Sequence, residues 1–173
     1  MKLRRAIPSD LPQLQAISRQ APSAPQWSRQ QWLDIWDSQS PARLAWIAED
    51  AAENILASAA VDDCGSAVPP VPAVGFLVAQ AGIDYRAQAA PEWELENIVV
   101  APAFSRRGVG RALLQALLHE ARARQAERIL LEVRASNLSA IALYLGNGFH
   151  HLTQRRDYYR DPTEDALILV QLL

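Results

Sequence analysis

The chain has little of the chemistry that disulfides and metal sites need. Its 173 residues include one cysteine, Cys64, and three histidines. A single thiol excludes an internal disulfide and any cysteine metal cluster. Cys64 lies in a proline-containing segment, so we expect an exposed loop thiol with no role as a nucleophile. The histidines lack metal-ligand spacing, and we therefore predict no metal site.

The chain also lacks a strong charge of either sign and a long apolar run. Its formal net charge is −2, which argues against bulk nucleic-acid affinity, although arginines cluster within 106–111, 122–128 and 155–160. No stretch reaches transmembrane length, and residues 1–6 contain no signal-peptide apolar region. We expect a cytoplasmic protein whose partners include neither nucleic acid nor membrane.

The most informative stretch is a strand, turn and helix over residues 97–118. The β-branched run 97–100 ends at Ala101-Pro102, and a basic turn with two glycines follows. Apolar residues then recur at helical spacing, which predicts an amphipathic helix. They are Val109, Ala112, Leu113, Ala116 and Leu117.

This turn is typical of a phosphate cradle. Free N–H groups and the helix dipole favour an anion at a helix start. Gly108 and Gly110 allow a close backbone approach, and Arg106, Arg107 and Arg111 add charged donors. No Lys-Ser/Thr pair follows the glycines, and G-x-G-x-x-G fails, so neither a P-loop nor a dinucleotide fingerprint is present. The alternative is a tight turn with solvated arginines.

The remaining pattern predicts one domain over residues 1–173, with the order β-α-α-β-β-β-α-β-α-β-β. Strands and helices alternate only in the second half. We therefore expect an α/β fold of mixed α+β type, with helices on both faces of a mixed, mostly antiparallel sheet. Residues 53–61 fit helix or strand, and 62–73 predict an exposed loop. Strands are predicted at 2–6, 43–49, 74–79, 92–100, 128–134, 149–153 and 166–172, and helices at 9–20, 28–36, 109–125 and 139–145.

Four stretches resemble the GNAT acetyltransferase superfamily, and more closely its RimI-type protein N-terminal acetyltransferases. Residues 94–100 resemble the strand before the acetyl-CoA loop, and 106–110 (RRGVG) resemble Q/R-x-x-G-x-G/A. Residues 131–149 and the double tyrosine of 155–159 (RRDYY) make the resemblance specific. It implies a GNAT-like acyl-CoA N-acyltransferase fold with acetyl-CoA as cosubstrate.

The chain departs from this superfamily at two places. Ser105 stands where the superfamily usually has Gln or Arg, which removes a long side chain but keeps the N–H cradle. The segment around 50–73 is longer than the usual hairpin, so we expect a loop insertion there.

The resemblance also implies how acetyl-CoA is held. The pyrophosphate would sit on the N–H groups of the basic turn, and the pantetheine arm would pair with the strand before it. Asn137 would hydrogen-bond the cofactor. The implied binding residues are Ile98, Val99, Val100, Arg106, Arg107, Gly108, Val109, Gly110, Arg111 and Asn137.

The resemblance further implies that the acetyl group passes directly from acetyl-CoA to the amine in a ternary complex. Glu132 would accept the proton of the amine, and Tyr144 would donate a proton to the CoA thiolate. Glu94 is the second candidate base. Spacing alone favours a different interpretation, in which Glu132 pairs with Arg134 on the same strand face and Tyr144 is a half-buried aromatic beside Phe149. The resemblance reverses that preference for Glu132.

The implied acceptor is a protein N-terminus, by family analogy the N-terminal alanine of a small-subunit ribosomal protein. Trp27, Tyr158 and Tyr159 would line the peptide-entry groove; otherwise the tyrosines are edge-strand packing. Two alternatives remain open: a small-molecule amine acetyltransferase on the same scaffold, and a non-catalytic acetyl-CoA-binding module.

Overall fold

The protein folds around one seven-stranded mixed sheet. The computed structural model describes residues 1–21, 24–38, 42–50, 71–83 and 91–173. The strand order is β1-β2-β3-β4-β5-β7-β6. Cys64, the segment 53–61 and nearly all of the expected insertion lie outside the described residues. The strands are β1 Lys2–Arg5, β2 Arg43–Glu49, β3 Ala73–Ile83, β4 Glu92–Val100, β5 Arg128–Arg134, β6 His150–Arg160 and β7 Thr163–Leu172. The helices are α1 Leu11–Arg19, α2 Arg29–Leu33, α3 Val109–Ala123 and α4 Leu138–Leu145.

The sheet and its flanking helices confirm the predicted fold class. Described neighbouring strands are antiparallel except β4 and β5, which are parallel. One apolar cluster packs α3 against one face of the sheet, with Leu113 and Leu117 fully buried. A second cluster packs Leu14 and Ile17 of α1 against the other face. The sheet therefore carries helices on both faces, in the predicted order.

Sequence patterns at the helix starts predicted the positions of those starts well. Ser28 and Gln31 form the expected capping box at the start of α2, each side chain accepting the other's backbone N–H. However, α2 ends at Leu33 and does not continue to Trp36. In α3, Leu114 and Leu118 are buried, whereas Ala112 and Ala116 stay partly exposed. The larger leucines turn toward the sheet, because they bury more apolar area than the alanines.

The closing strands are longer than their sequences predict. The predicted bounds 149–153 and 166–172 are too short, since the two strands run to Arg160 and start at Thr163. Nearly every side chain of β6 is exposed, so this edge strand shows no apolar alternation. Backbone pairing with β7 maintains it without a buried face.

A β-bulge at Glu96 changes which residues of β4 face α3. Leu95 pairs with Ala79 of β3, and Asn97 pairs with Val78, so Glu96 is the extra residue. Before the bulge, Trp93 and Leu95 pack in the α3 cluster; after it, Ile98 and Val100 do so. Asn97 and Val99 consequently turn toward the face covered by α1 and α2, where Val99 is buried.

Candidate functional site

A large cavity opens where β4 and β5 stop pairing. The two strands pair in parallel only as far as Leu95 and Leu131, and then diverge. The cavity has a volume of about 1040 Å³ and reaches from the basic turn before α3 to Glu132 and Tyr144. Beyond Leu95, the β5-side edge of β4 is therefore left to pair with a ligand, and Ile98, Val99 and Val100 all line the cavity.

The basic turn forms one end of this cavity. Gly108 caps the N-terminus of α3 in the left-handed conformation (φ 83°), and Arg106 is also left-handed (φ 59°). Besides these two, the lining residues from this segment are Ser105, Val109, Gly110 and Arg111. Arg107 does not line the cavity; its guanidinium lies over the Phe104 ring, 5.1 Å from the centroid.

Gly110 serves helix packing as well as access to the cavity. A Cβ atom there would lie 3.2 Å from Leu143 Cδ2 and 3.6 Å from Val100 Cγ2. The lack of a side chain thus lets α3 lie close to α4, which forms another wall of the cavity. Asn137 caps α4, where its Oδ1 accepts the Ala140 N–H at 3.2 Å, and it lines the same cavity.

Glu132 lies at the wall opposite the turn, paired with Arg155. Arg155 Nη1 is 2.6 Å from Glu132 Oε1. Glu132 also accepts a hydrogen bond from the Tyr158 hydroxyl, and this carboxylate is the main cause that raises the pKa of Tyr158. Arg134, by contrast, donates to Glu164 at 3.1 Å and lies over the Tyr159 ring at 4.0 Å. The alternative pairing of Glu132 with Arg134 is therefore wrong.

Tyr144 reaches the cavity from the other face of the sheet. It belongs to the α3 cluster and packs against Phe149, with ring centroids 5.8 Å apart. Burial raises the pKa of its phenol, which keeps the proton on the oxygen at neutral pH. Leu131 and Val133 face this same cluster, so Glu132 between them points to the opposite face. The gap between the strands thus gives both groups access to one space.

Glu94 is not a lining residue of this cavity. Burial raises the pKa of its carboxyl, and the nearby charges of Glu96 and Glu132 raise it further. Glu96 itself is bound by Arg43, whose Nε donates to Glu96 Oε2 at 2.7 Å. The structure therefore brings Glu132 and Tyr144 to the cavity, whereas Glu94 lies near Glu132 without lining it.

The three predicted groove aromatics are divided between different surfaces. Tyr159 lines the cavity. The Tyr158 ring lies edge-on to the Tyr159 ring, with the two centroids 5.2 Å apart, and Tyr158 is 44% exposed. Trp27 packs against Trp32 and lines a separate cavity of about 270 Å³ with Arg19 and Arg29.

Sequence reasoning missed one wall of the main cavity and one polar group in its floor. The wall is the connection between α1 and α2, represented by Gln20, Ala21, Ala24, Pro25 and Gln26. The polar group is Asn97, which is 2% exposed and also lines the cavity. Its only sequence signal was an amide immediately before a run of β-branched residues.

The described residues contain neither a helix suited to a membrane nor a cluster of metal ligands. No helix among them is long and apolar enough to cross a membrane. The described His, Cys, Asp and Glu side chains form no group of three or more that would hold a metal ion.

Comparison with known proteins assigns the family. A sequence model of the acetyltransferase (GNAT) family matches residues 21–149. The chain belongs to the GNAT family of acetyltransferases. This confirms the family inferred from the turn 106–110 and the strands around it.

Two curated relatives in this family are similar in sequence to about half of the chain. The [ribosomal protein bS18]-alanine N-acetyltransferase of Escherichia coli K12 is 50% identical over 80 residues, which are 45% of this chain and 54% of that protein. The N-alpha-acetyltransferase RimI of Mycobacterium tuberculosis is 44% identical over 93 residues, 53% and 57% of the two chains. The chain thus spans about half the length of these curated relatives.

A solved structure matches nearly the whole chain. The crystal structure of the ribosomal-protein-S18-alanine N-acetyltransferase from Escherichia coli superposes with a TM-score of 0.74 at 30% identity. It covers 99% of this chain and 92% of that one. The match includes the mixed sheet and the helices on both of its faces.

Proposed function

We propose that the protein is an acetyl-CoA-dependent N-acetyltransferase that acetylates the N-terminal α-amino group of a protein. The observation that carries this proposal is the divergence of β4 and β5 beyond Leu95, which joins the basic turn, Glu132 and Tyr144 in one cavity. By similarity to the relatives described above, the acceptor is the N-terminal alanine of a small-subunit ribosomal protein.

The cavity fits acetyl-CoA in shape and in hydrogen-bonding groups. The N–H groups of 106–111 and the positive end of α3 suit a pyrophosphate, and Arg106 and Arg111 add charge. The edge of β4 at Ile98, Val99 and Val100 suits the amides of a pantetheine arm. Asn137 at the start of α4 supplies a further polar group. Acetyl-CoA would supply an acetyl group activated as a thioester.

Glu132 and Tyr144 have the placement that acid–base catalysis of the transfer needs. An N-terminal amine has an ordinary pKa of about 8 and is mostly protonated at neutral pH, so a base assists the reaction. Glu132 takes the amine proton, and the nitrogen then bonds to the acetyl carbon. N–H groups on the free edge of β4 stabilise the oxyanion. As the carbon–sulfur bond breaks, Tyr144 donates its proton to the sulfur. The nitrogen releases the one proton it carries beyond the amide product, and that proton restores the Tyr144 phenol.

The extent of the cavity on both sides of Glu132 favours a protein acceptor over a small amine. The cavity continues beyond Glu132 to the α1–α2 connection on one side and to Tyr159 on the other. This leaves room for an extended chain attached to the reacting amine, which a small amine would leave unfilled.

The decisive experiment is incubation of the purified protein with acetyl-CoA and a panel of N-terminal peptides and small amines. Mass spectrometry of the products should show one acetyl group on the α-amine of alanine-starting peptides. Acetylation of small amines alone would support the small-molecule alternative. Binding of acetyl-CoA without transfer to any amine would support the non-catalytic alternative.

A further inference from the structure

Asn97 carries a buried hydrogen-bond acceptor that the described residues leave without a donor. Its Nδ2 donates to the Pro25 carbonyl oxygen at 3.5 Å, whereas Oδ1 has no partner within the described part of the chain. A carbonyl oxygen only accepts, so Pro25 determines which end of the amide faces it. An unpaired polar atom that is buried at a cavity wall costs free energy, and a ligand N–H would remove that cost.

The orientation of Asn97 separates this atom from the acetyl-CoA subsite. A ligand arm that pairs with the edge of β4 lies in the plane of the sheet. Strand side chains point out of that plane, and the bulge at Glu96 places Asn97 on the face that carries the connection between α1 and α2. Val99, two residues on, packs among the apolar residues of that same face. The Asn97 side chain therefore lies on the side of the cavity that the acceptor chain would enter.

Asn97 is also close to the proposed base along the sheet. Leu95 and Leu131 are the last paired residues of β4 and β5, so Asn97 and Glu132 lie just beyond the point of divergence. Both side chains face the α1–α2 side of the sheet. An amine at Glu132 would place the next backbone N–H of an acceptor chain about one residue, or ~3.8 Å, further along.

We propose that Asn97 Oδ1 accepts a hydrogen bond from the first peptide N–H of the acceptor, the one between its residues 1 and 2. This assignment rests on the proposed function. The α-amine itself has to lose a proton and attack, so the peptide N–H is the donor that remains available. A small amine has no such group. Asn97 is thus a substrate-binding residue that favours polypeptide acceptors.

A chemical double-mutant cycle tests this hydrogen bond. Two alanine-starting peptides are compared, one unmodified and one N-methylated at the amide of residue 2. With the native protein, methylation should raise KM about 3- to 10-fold, the effect of one neutral hydrogen bond plus the bulk of the methyl group. With Asn97→Ala, the unmodified peptide should show the raised KM, and the ratio between the peptides should fall toward the effect of bulk alone.

Two further variants keep the test independent of folding. Asn97→Leu has nearly the same shape as asparagine without the acceptor, and it serves if the alanine variant is unstable. Val78→Ala removes buried volume from the residue paired with Asn97 on β3. Val78→Ala should lower the melting temperature and leave the ratio between the two peptides unchanged.

The outcomes separate this proposal from the proposed function. An unchanged peptide ratio in both Asn97 variants would overturn the hydrogen bond while leaving peptide acetylation in place. A loss of acetyl-CoA affinity in Asn97→Leu, measured by calorimetry, would also overturn it, because the acceptor would then serve the cosubstrate. No acetylation of any peptide by the native protein would overturn the proposed function itself.

Discussion

Arg155 of β6 crosses over β7 to place its Nη1 2.6 Å from Oε1 of Glu132 on β5. The strand order puts β7 between the two, so this contact joins strands that do not pair with each other. The Arg155 side chain is 56% exposed and the Glu132 side chain 26% exposed, so the pair lies at the mouth of the cavity. An exposed pair of this kind adds little to stability. Its consequence is to hold the proposed base at the cavity wall.

The first prediction separates base from acid by pH. Glu132→Gln should lower kcat about 10²- to 10⁴-fold at neutral pH and recover as the pH approaches the pKa of the substrate amine. A larger fraction of the substrate amine is then neutral before it binds, so the reaction depends less on a base. Tyr144→Phe should show no such recovery, because the leaving sulfur still lacks its donor. The measurement is kcat against pH from about 6.5 to 9.5.

Melting temperatures provide the control for this comparison. If Glu132 were only structural, activity would follow the folded fraction at every pH. A native kcat and pH profile in Glu132→Gln would exclude it as the base, and Glu94 would become the better candidate.

The second prediction concerns the turn before α3. Gly110→Asp should weaken acetyl-CoA binding about tenfold or more, since it places a negative charge where the helix start favours an anion. Gly110→Asn adds nearly the same bulk without the charge, and both side chains meet Leu143. Isothermal calorimetry should therefore show a clearly smaller loss for the asparagine variant. Equal affinities in the two folded variants would contradict the phosphate cradle.

A third prediction concerns the acceptor groove. Tyr158→Ala removes the ring that packs on Tyr159 and the hydroxyl that bonds to Glu132. It should raise KM for peptides and leave acetyl-CoA affinity unchanged. Tyr158→Phe keeps the ring and should retain most of the peptide affinity. If both variants match the native protein on every peptide, the aromatic pair does not form the groove.

The fourth prediction concerns the stability of the first strand. Arg4 donates to both carboxylate oxygens of buried Asp10, at 2.7 and 2.8 Å, and to Glu49 at 2.6 Å. The hydrogen bond from Arg4 holds the pKa of Asp10 below its ordinary value. Asp10→Asn should lower the free energy of unfolding by about 1–3 kcal/mol at neutral pH.

The pH dependence of that difference follows from the lowered pKa. Asp10 contributes stability above its ordinary pKa of about 3.9 and loses it as the pH falls through the folded-state value. The difference in the free energy of unfolding between the native protein and Asp10→Asn, measured by denaturant titration, should therefore become smaller below about pH 4. Exposed Glu127, changed to Gln, is the control and should show no comparable gap.

Local patterns were enough to predict the order of elements and the family motif. The capping box at Ser28 and the amphipathic run after Gly108 depend on residues that are close in sequence. The long β6 strand could not be predicted, because its stability comes from backbone pairing with β7 and not from an apolar face. For the same reason, the residues near Arg155 gave no sign of strand structure.

The site was predictable only where the family motif named its residues. Glu132, Tyr144 and Asn137 line the cavity as that motif implies, whereas Glu94, Arg107, Trp27 and Tyr158 do not. The partner of Glu132 depends on contact across an intervening strand, which spacing along β5 cannot reveal. The orientation of Asn97 depends on a bulge that no local residue pattern announces.

The bulge at Glu96 absorbs one extra residue of β4 without exchanging the faces of the rest of the strand. Side chains alternate with a period of two along a regular strand, so without the bulge Asn97 would face α3 as Leu95 does. With the bulge, Asn97 faces the α1–α2 side and Ile98 packs with Leu95 in the α3 cluster. The site therefore depends on where β4 places its surplus residue: regular pairing of Glu96 would exchange the faces of Asn97 and Ile98, whereas deletion of Glu96 would leave them unchanged.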